Sequence, residues 1–160
     1  MIKKSWNQTR PTFRILIYLI VLLLMILLFG VYAGTQQENV SAAVVQAYAR
    51  SATSPVIFVT IDGKDPGNSF IKRFQNSKVL VRKESQGILY NTRYGRGWGT
   101  YYVDKATGQK GPPFGIREIN WRGPFIAKVE VSHPGYGERF IVVLRLRGWT
   151  VTRKEQTWII

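Results

Sequence analysis

Cysteine is absent from this chain of 160 residues, and histidine occurs only once, as His133. Without cysteine the protein can form no disulfide, no thiolate metal site and no cysteine nucleophile. One imidazole leaves no partner for a histidine-based metal site and a single candidate base for a catalytic triad. His133 precedes Pro134-Gly135 in a predicted hairpin loop, where we expect it to be solvated. We therefore expect no metal site and no cofactor.

Acidic side chains are also scarce, with nine against 23 lysines and arginines. They are scattered, and in the C-terminal half Glu118, Glu130, Glu138 and Glu155 fall one to a predicted strand or strand end. No pair stands out for acid–base catalysis, and ion pairing on a solvated face is the simpler role. The chain also lacks a phosphate-binding loop and a dinucleotide fingerprint. These absences predict a protein that is not an enzyme.

One apolar segment runs from Ile15 to Gly34 without a charge. As a helix, these 20 residues would be about 30 Å long, the thickness of the hydrocarbon core of a bilayer. Apolar residues surround the whole helix, which is typical of a transmembrane helix and unlike an amphipathic core helix. A cleaved signal peptide is the alternative. Because the run is at or beyond the length of a signal peptide's apolar region, we expect the anchor to be retained.

The residues that flank this segment predict its orientation. Four basic residues and no acid precede it, whereas the 20 residues after it carry one acid and one base. The positive-inside tendency places residues 1–14 in the cytoplasm as a basic tail. We expect a single-pass protein of the cell inner membrane with its C-terminal domain in the periplasm. The expected interface anchors are Lys3, Lys4, Trp6, Arg10 and Arg14.

Gly30 and Gly34 are candidates for helix packing, because their GxxxG spacing lets a second helix approach closely. The alternative is that Gly34 only ends the helix at the interface, as glycine commonly does. The spacing predicts contact with another integral membrane helix, and the second interpretation predicts none.

The remaining 19 basic and nine acidic side chains leave the rest of the chain strongly positive. Such a domain is attracted to anionic lipid headgroups, nucleic acid or an acidic protein. An exported domain rarely meets nucleic acid, so we expect no nucleic-acid partner. The expected partners are the membrane itself, other integral membrane subunits and anionic lipid headgroups.

Residues 35–54 are predicted to form a helical connector. This connector is either a separate short helix with Asn39 as its N-cap or a continuation of the membrane helix. Residues 55–160 are predicted to form a small β-rich domain. The fold class is therefore a single N-terminal transmembrane helix plus a small α+β domain dominated by an antiparallel β-meander. A β-sandwich is the alternative. We expect a short helix at 69–76 and strands at 56–61, 78–83, 101–103, 116–121, 125–132, 139–147 and 149–159.

The last predicted hairpin has the clearest pattern. A two-residue turn at Arg147-Gly148 would place Trp149 beside Leu146 and Val151 beside Leu144 on one face. This agreement between turn and alternation predicts a β-hairpin at the C-terminus.

The stretch from Gln86 to Gly99 interleaves arginine, glycine and aromatic residues without an apolar period. Such mixtures can bind protein, lipid headgroups or nucleic acid. The alternative is a surface loop whose aromatic side chains fold back onto the core. The candidate partner-binding residues are Arg93, Tyr94, Arg96 and Trp98.

Near its C-terminus the chain reads Val142-Val143-Leu144, then Gly148-Trp149-Thr150-Val151, then Trp158-Ile159-Ile160. This ending resembles that of many uncharacterised bacterial envelope proteins, which close on a strand, a Gly-x-Trp or Gly-Trp turn and a final Trp-Ile-Ser. The terminal serine is absent here. The resemblance covers the 45 residues from Ile116. It implies an extracytoplasmic α+β domain and transfers no functional residue.

These features predict a non-catalytic accessory subunit of a larger membrane complex, with photosynthetic and respiratory assemblies as the expected setting. The alternative is a membrane-anchored envelope domain that binds a small ligand or an anionic surface. A helix on a curved sheet can form a cone with a pocket, as in NTF2-like or cystatin-like folds. That alternative predicts an apolar cavity lined by Trp121, Phe140 or Trp149.

Overall fold

The computed structural model describes the backbone of residues 9–94 and 97–159, and the side chains of 13, 15–91 and 99–158. The chain divides into two compact units, Met1–Gln36 and Gln37–Ile160. Helix α1 (Thr9–Ser51) contributes residues to both units. The second unit is called the domain below.

The first unit contains the apolar segment. An 18-residue window of α1 has a mean hydropathy of 3.0, and none of it is buried. Within the described residues this is the one helix long and apolar enough to cross a membrane, as expected of a single-pass membrane protein. Because α1 begins at Thr9, Arg10 and Arg14 lie on its first turns, inside the stretch predicted to be a tail.

The domain contains the last part of α1, one short helix and nine strands among its described residues. The short helix is α2 (Asn68–Lys72), and a 3-10 turn follows β2 at Glu84–Gln86. The strands are β1 (Val56–Ile61), β2 (Leu80–Lys83), β3 (Gly87–Tyr94), β4 (Gly97–Asp104), β5 (Lys110–Gly111), β6 (Pro113–Trp121), β7 (Ile126–His133), β8 (Tyr136–Arg145) and β9 (Gly148–Ile159).

The strands form two sheets. One has six strands in the order β2-β1-β6-β7-β8-β9, and the other has three in the order β3-β4-β5. Strands β6 to β9 form the predicted antiparallel meander. Strand β1, however, runs parallel to both β2 and β6. The connection through α2 explains the first pairing, because parallel strands need a crossover longer than a hairpin turn.

Residues 37–51 of α1 cover one face of the six-stranded sheet. Val40 and Val44 are fully buried there, as the helical spacing predicts, together with Val45. Each fully buried side chain of this size contributes about 1.5–3 kcal/mol. The predicted N-cap at Asn39 is wrong, and the alternative is confirmed, because α1 continues through Asn39 to Ser51. The Asn39 side chain accepts a hydrogen bond from Arg73 over 2.9 Å.

The three-stranded sheet covers the opposite face. Its central contact joins the rings of Tyr102 and Phe58, whose centroids are 5.2 Å apart. Gly111 allows β5 to approach β1, since a Cβ there would lie 2.0 Å from the carbonyl oxygen of Val56. The domain therefore has three layers, in the order helix, large sheet and small sheet.

The C-terminal hairpin forms, but its predicted register is wrong. Its turn consists of Leu146 and Arg147, so Trp149 pairs with Leu144 and Val151 with Val142. Leu146 is fully exposed at the turn and does not continue the apolar face of β8. Gly148 adopts φ +107°, a conformation that favours glycine, and it begins β9 where the turn was expected to end.

Candidate functional site

The predicted partner-binding stretch is a β-hairpin of strands β3 and β4, and the expectation of a loop is wrong. In its register Arg93 pairs with Trp98, and Tyr94 pairs with Gly97. Arg96 lies outside the described residues, as do the side chains of Arg93, Tyr94 and Trp98. Gly97 and Gly99 occupy alternate positions at the start of β4, where they interrupt the apolar period that would have predicted the strand.

Strand β3 forms an exposed apolar edge. It pairs with β4 alone among the described strands. Three consecutive side chains, Ile88, Leu89 and Tyr90, are 47%, 50% and 44% exposed. The Tyr90 ring stacks on Tyr101 at 5.6 Å, and the Lys110 ammonium lies 5.3 Å from the Tyr101 ring. This surface, defined by Ile88, Leu89 and Tyr90, is called the β3 edge below.

An ion pair next to the hairpin holds it on the large sheet. The Arg82 guanidinium is 3.3 Å from the carboxylate of Asp104, which is buried. Burial alone would raise the pKa of Asp104. Hydrogen bonds from Thr107 and from the N–H of Ala106, with the charge of Arg82, outweigh burial and hold that pKa below its ordinary value. The ion pair and these hydrogen bonds therefore fix the end of β4 next to β2.

His133 is buried, and the expectation that it is solvated is wrong. It ends β7 and is followed by the two-residue turn Pro134-Gly135, which places it opposite Tyr136. Its ring stacks on Tyr136 at 4.4 Å and lies 5.0 Å from Tyr48. Its Nε2 is 3.0 Å from the Glu138 carboxylate. The spacing of five residues across a Pro-Gly turn is the signal that could have predicted this pair.

Glu138 also forms an ion pair with Lys154, whose Nζ lies 2.7 Å from the carboxylate. The His133 side chain is only 1% exposed, so its ring nitrogens are shielded from solvent. The other carboxylates considered, Glu118 and Glu130, pair in the register of β6 and β7. Glu130 also bonds to Arg139 over 2.7 Å. The ion pairs of Glu138 with His133 and Lys154, and of Glu130 with Arg139, favour a structural role for these two carboxylates.

Burial lowers the pKa of His133 below its ordinary 6.5, although Glu138 opposes this shift; the charge of Lys154 adds to the lowering. The unfolded chain regains the ordinary pKa, so it binds more protons than the folded domain between the two values. The stability that this shift contributes is complete above pH 6.5 and is lost as pH falls toward the folded pKa. Asp104, with its lowered pKa, titrates below 3.8, outside this range.

We expect the free energy of unfolding to fall between about pH 7 and pH 5, and the fall to be smaller in His133→Gln. Glutamine keeps a donor for Glu138 but cannot be protonated. Denaturant unfolding of the detergent-solubilised protein at both pH values measures the difference. Equal slopes in the parent and the variant would show that His133 does not cause the effect.

A basic cleft of about 460 Å³ lies between the end of α1 and the segment after α2. Arg50, Arg73 and Lys78 line it with Asn76 and Ser77. Arg73 is 3.6 Å from the Glu38 carboxylate. Among the described residues Arg50 and Lys78 have no carboxylate partner. The cleft is therefore positively charged.

The expected apolar cavity is filled by the domain's own side chains. Phe140 is buried in the core, and the rings of Trp121 and Trp149 meet edge to face at 5.6 Å. Both tryptophans pack against the same core. This packing argues against a ligand pocket at these three residues.

The remaining predicted residues belong to the anchor. A Cβ added at Gly30 or Gly34 would meet no atom within 4 Å, so the described chain itself does not use the small surface at these positions. Lys3, Lys4 and Trp6 lie outside the described residues. The predictions of helix packing and interface anchoring remain untested by this geometry.

Comparison with known proteins gives no further assignment. The chain matches no protein-family model, no curated protein and no solved structure. Within the part of the chain that the structure describes, no group of three or more histidine, aspartate or glutamate side chains could hold a metal ion. The membrane helix and the surfaces of the domain are therefore the features that can indicate a function.

Proposed function

We propose that this protein is a non-catalytic accessory subunit of a larger membrane complex. The β3 edge is the observation that carries the proposal. An edge strand that is paired on one side only and has three exposed apolar residues is a site for association, and natural proteins usually cover or charge such edges. A partner subunit that covers the β3 edge would remove this liability. The predicted partner-binding residues Arg93, Tyr94, Arg96 and Trp98 follow Tyr90 in the sequence, and we propose that they belong to the same interface.

The anchor supports the same proposal. A membrane-spanning helix keeps the domain beside integral membrane subunits, and the surface around Gly30 and Gly34 can admit a second helix. We propose an inner-membrane location with the N-terminus in the cytoplasm and the domain in the periplasm, since the basic flank precedes the helix. Photosynthetic and respiratory membranes contain assemblies of this kind.

Purification of the full chain from its native membrane in mild detergent tests the proposal. We expect it to migrate with other integral membrane proteins. Migration as a lone species of 18.3 kDa plus its detergent would contradict the proposed role.

Charging the β3 edge should disrupt the complex without unfolding the domain. The double variant Ile88→Lys/Tyr90→Lys introduces two ammonium groups that a protein interface would have to desolvate. We expect co-purification of partners to fall about tenfold or more, as for central interface residues. Gln156→Lys, on the exposed part of the edge strand β9, is the matched control and should leave co-purification unchanged. Equal recovery in both variants would exclude the β3 edge.

The basic cleft supports a second candidate function, the binding of a small anionic ligand. Arg50 and Lys78 present unneutralised charges to a space large enough for one. Calorimetric titration with inorganic phosphate, comparing the parent with Arg50→Gln/Lys78→Gln, measures this binding. Heat of binding that the variant lacks would favour this function.

A further inference from the structure

Two turns at one end of the six-stranded sheet carry exposed apolar side chains. The β6–β7 turn leads into Phe125 and Ile126, which are 58% and 40% exposed, and the β8–β9 turn carries Leu146 at 108%. The turns are adjacent, because the N–H of Leu144 donates to the carbonyl of Phe125 over 2.8 Å. Phe125, Ile126 and Leu146 are called the apolar tip below.

Three arginines surround the apolar tip. Arg122 lies in the first turn, Arg145 ends β8 and Arg147 lies in the second turn, and all are exposed. Among the described residues none of them has a carboxylate partner. Apolar side chains bordered by unpaired guanidinium groups suit the boundary between acyl chains and anionic headgroups.

Contacts of α1 show which end of the sheet is opposite the tip. The ring of Tyr48, near the end of α1, is 4.4 Å from that of Phe114 at the start of β6 and 5.0 Å from that of His133 at the end of β7. The apolar tip follows the end of β6 and precedes β7. It therefore lies at the other end of both strands.

The direction of α1 follows from the segment between α2 and β2. Early in this segment Arg73 pairs with Glu38 and donates to Asn39, and it also lines the basic cleft with Phe74. The later residues 76–79 line the cleft with Gln46, Ala49 and Arg50, which come later on α1. The segment leads into β2, whose first residue lies beside the first residue of β1. The segment and α1 therefore both run toward the end of the sheet at which β1 and β2 begin. The part of the helix nearest Gln37 therefore lies toward the apolar tip.

Lengths along the chain agree with this placement. The strand from Phe114 to Trp121 covers about 23 Å, whereas the helix from Tyr48 back to Gln37 covers about 16 Å. The tip therefore extends at least about as far as Gln37. Gln37 is the residue at which the domain begins.

We propose that the apolar tip, with Arg122, Arg145 and Arg147, binds the surface of the membrane that the anchor spans and prefers anionic lipid. The domain would then hold the membrane at two places, through α1 and through the tip. This contact does not depend on the proposed complex, because lipid alone supplies its partner.

The absence of cysteine allows the tip to be labelled at one position in the full chain. Leu146→Cys with an environment-sensitive fluorophore is reconstituted into vesicles of phosphatidylcholine with or without phosphatidylglycerol. With phosphatidylglycerol we expect a blue shift of the emission and quenching by nitroxides on the acyl chains. The matched control is Gln109→Cys. It lies at the opposite end of the domain, where Ser54 donates to the carbonyl of Lys110 over 3.0 Å, and should show neither effect.

A second variant tests the arginines. Arg122→Gln, Arg145→Gln and Arg147→Gln, added together to Leu146→Cys, should abolish the blue shift while circular dichroism stays unchanged. A label at position 146 that is quenched no more than one at 109 would overturn the proposal. Shielding of position 146 in native membranes but not in lipid vesicles would assign the tip to a protein partner and would overturn it as well.

Discussion

Replacing Phe114 with alanine should lower the free energy of unfolding of the domain by about 3 to 5 kcal/mol. Phe114 is fully buried in β6, in the layer between α1 and the large sheet. Its ring is 4.4 Å from that of Tyr48 and 5.2 Å from that of His133. The substitution therefore leaves a cavity and also removes the support of the neighbouring polar cluster. Both effects destabilise the packing of α1 on the sheet.

Phe125→Ala is the matched control for this prediction. The same atoms are removed, but Phe125 is 58% exposed at a turn, so we expect a change within about 0.5 kcal/mol. Tryptophan fluorescence during denaturant unfolding in detergent measures both variants, since Trp121 and Trp149 lie against the core. Equal losses in the two variants would mean that Phe114 does not anchor the helix.

The strands of the meander were predictable from sequence because burial on one face imposes a period of two. Strand β7 shows this clearly, with Ala127, Val129 and Val131 buried and the residues between them partly exposed. The membrane helix was predictable for a similar reason, since lipid demands an uninterrupted apolar run. In both cases the surroundings of the element, a core on one face or lipid on all sides, restrict the residue type at every position.

Features that depend on two distant segments were not predictable in this way. The parallel pairing of β1 with β6 is decided by tertiary packing, and no local pattern encodes it. The hairpin β3–β4 has no apolar alternation at its tip, because Gly97 and Gly99 are the partners of Tyr94 and Thr92. Burial of His133 was missed because it requires Glu138 on β8 and Lys154 on β9.

The register of the last hairpin shows how a correct element can carry a wrong detail. Both Leu146-Arg147 and Arg147-Gly148 can form a two-residue turn, and the apolar character of Leu146 favoured the second. In the structure Leu146 is exposed. Leu146 belongs to the apolar tip, so the proposed membrane contact would explain why this apolar side chain is exposed.

Glu138→Ala should lower the free energy of unfolding by about 2 to 3 kcal/mol, because it leaves a buried donor without its acceptor. The carboxylate joins His133 on β7 to Lys154 on β9. The His133 side chain is 1% exposed and cannot recover the bond from water, whereas that of Lys154 is 46% exposed and can be solvated. The expected loss therefore comes mainly from His133.

Two further variants separate this cause from a general loss of negative charge. Glu138→Gln keeps an oxygen that can accept from His133, so it should cost less than alanine. Glu155→Ala removes a carboxylate that is 33% exposed and paired with Arg139 and Arg153, and we expect a loss below about 1 kcal/mol. Denaturant unfolding at neutral pH measures all three. If Glu138→Ala costs no more than Glu155→Ala, the bond between Glu138 and His133 does not stabilise the domain.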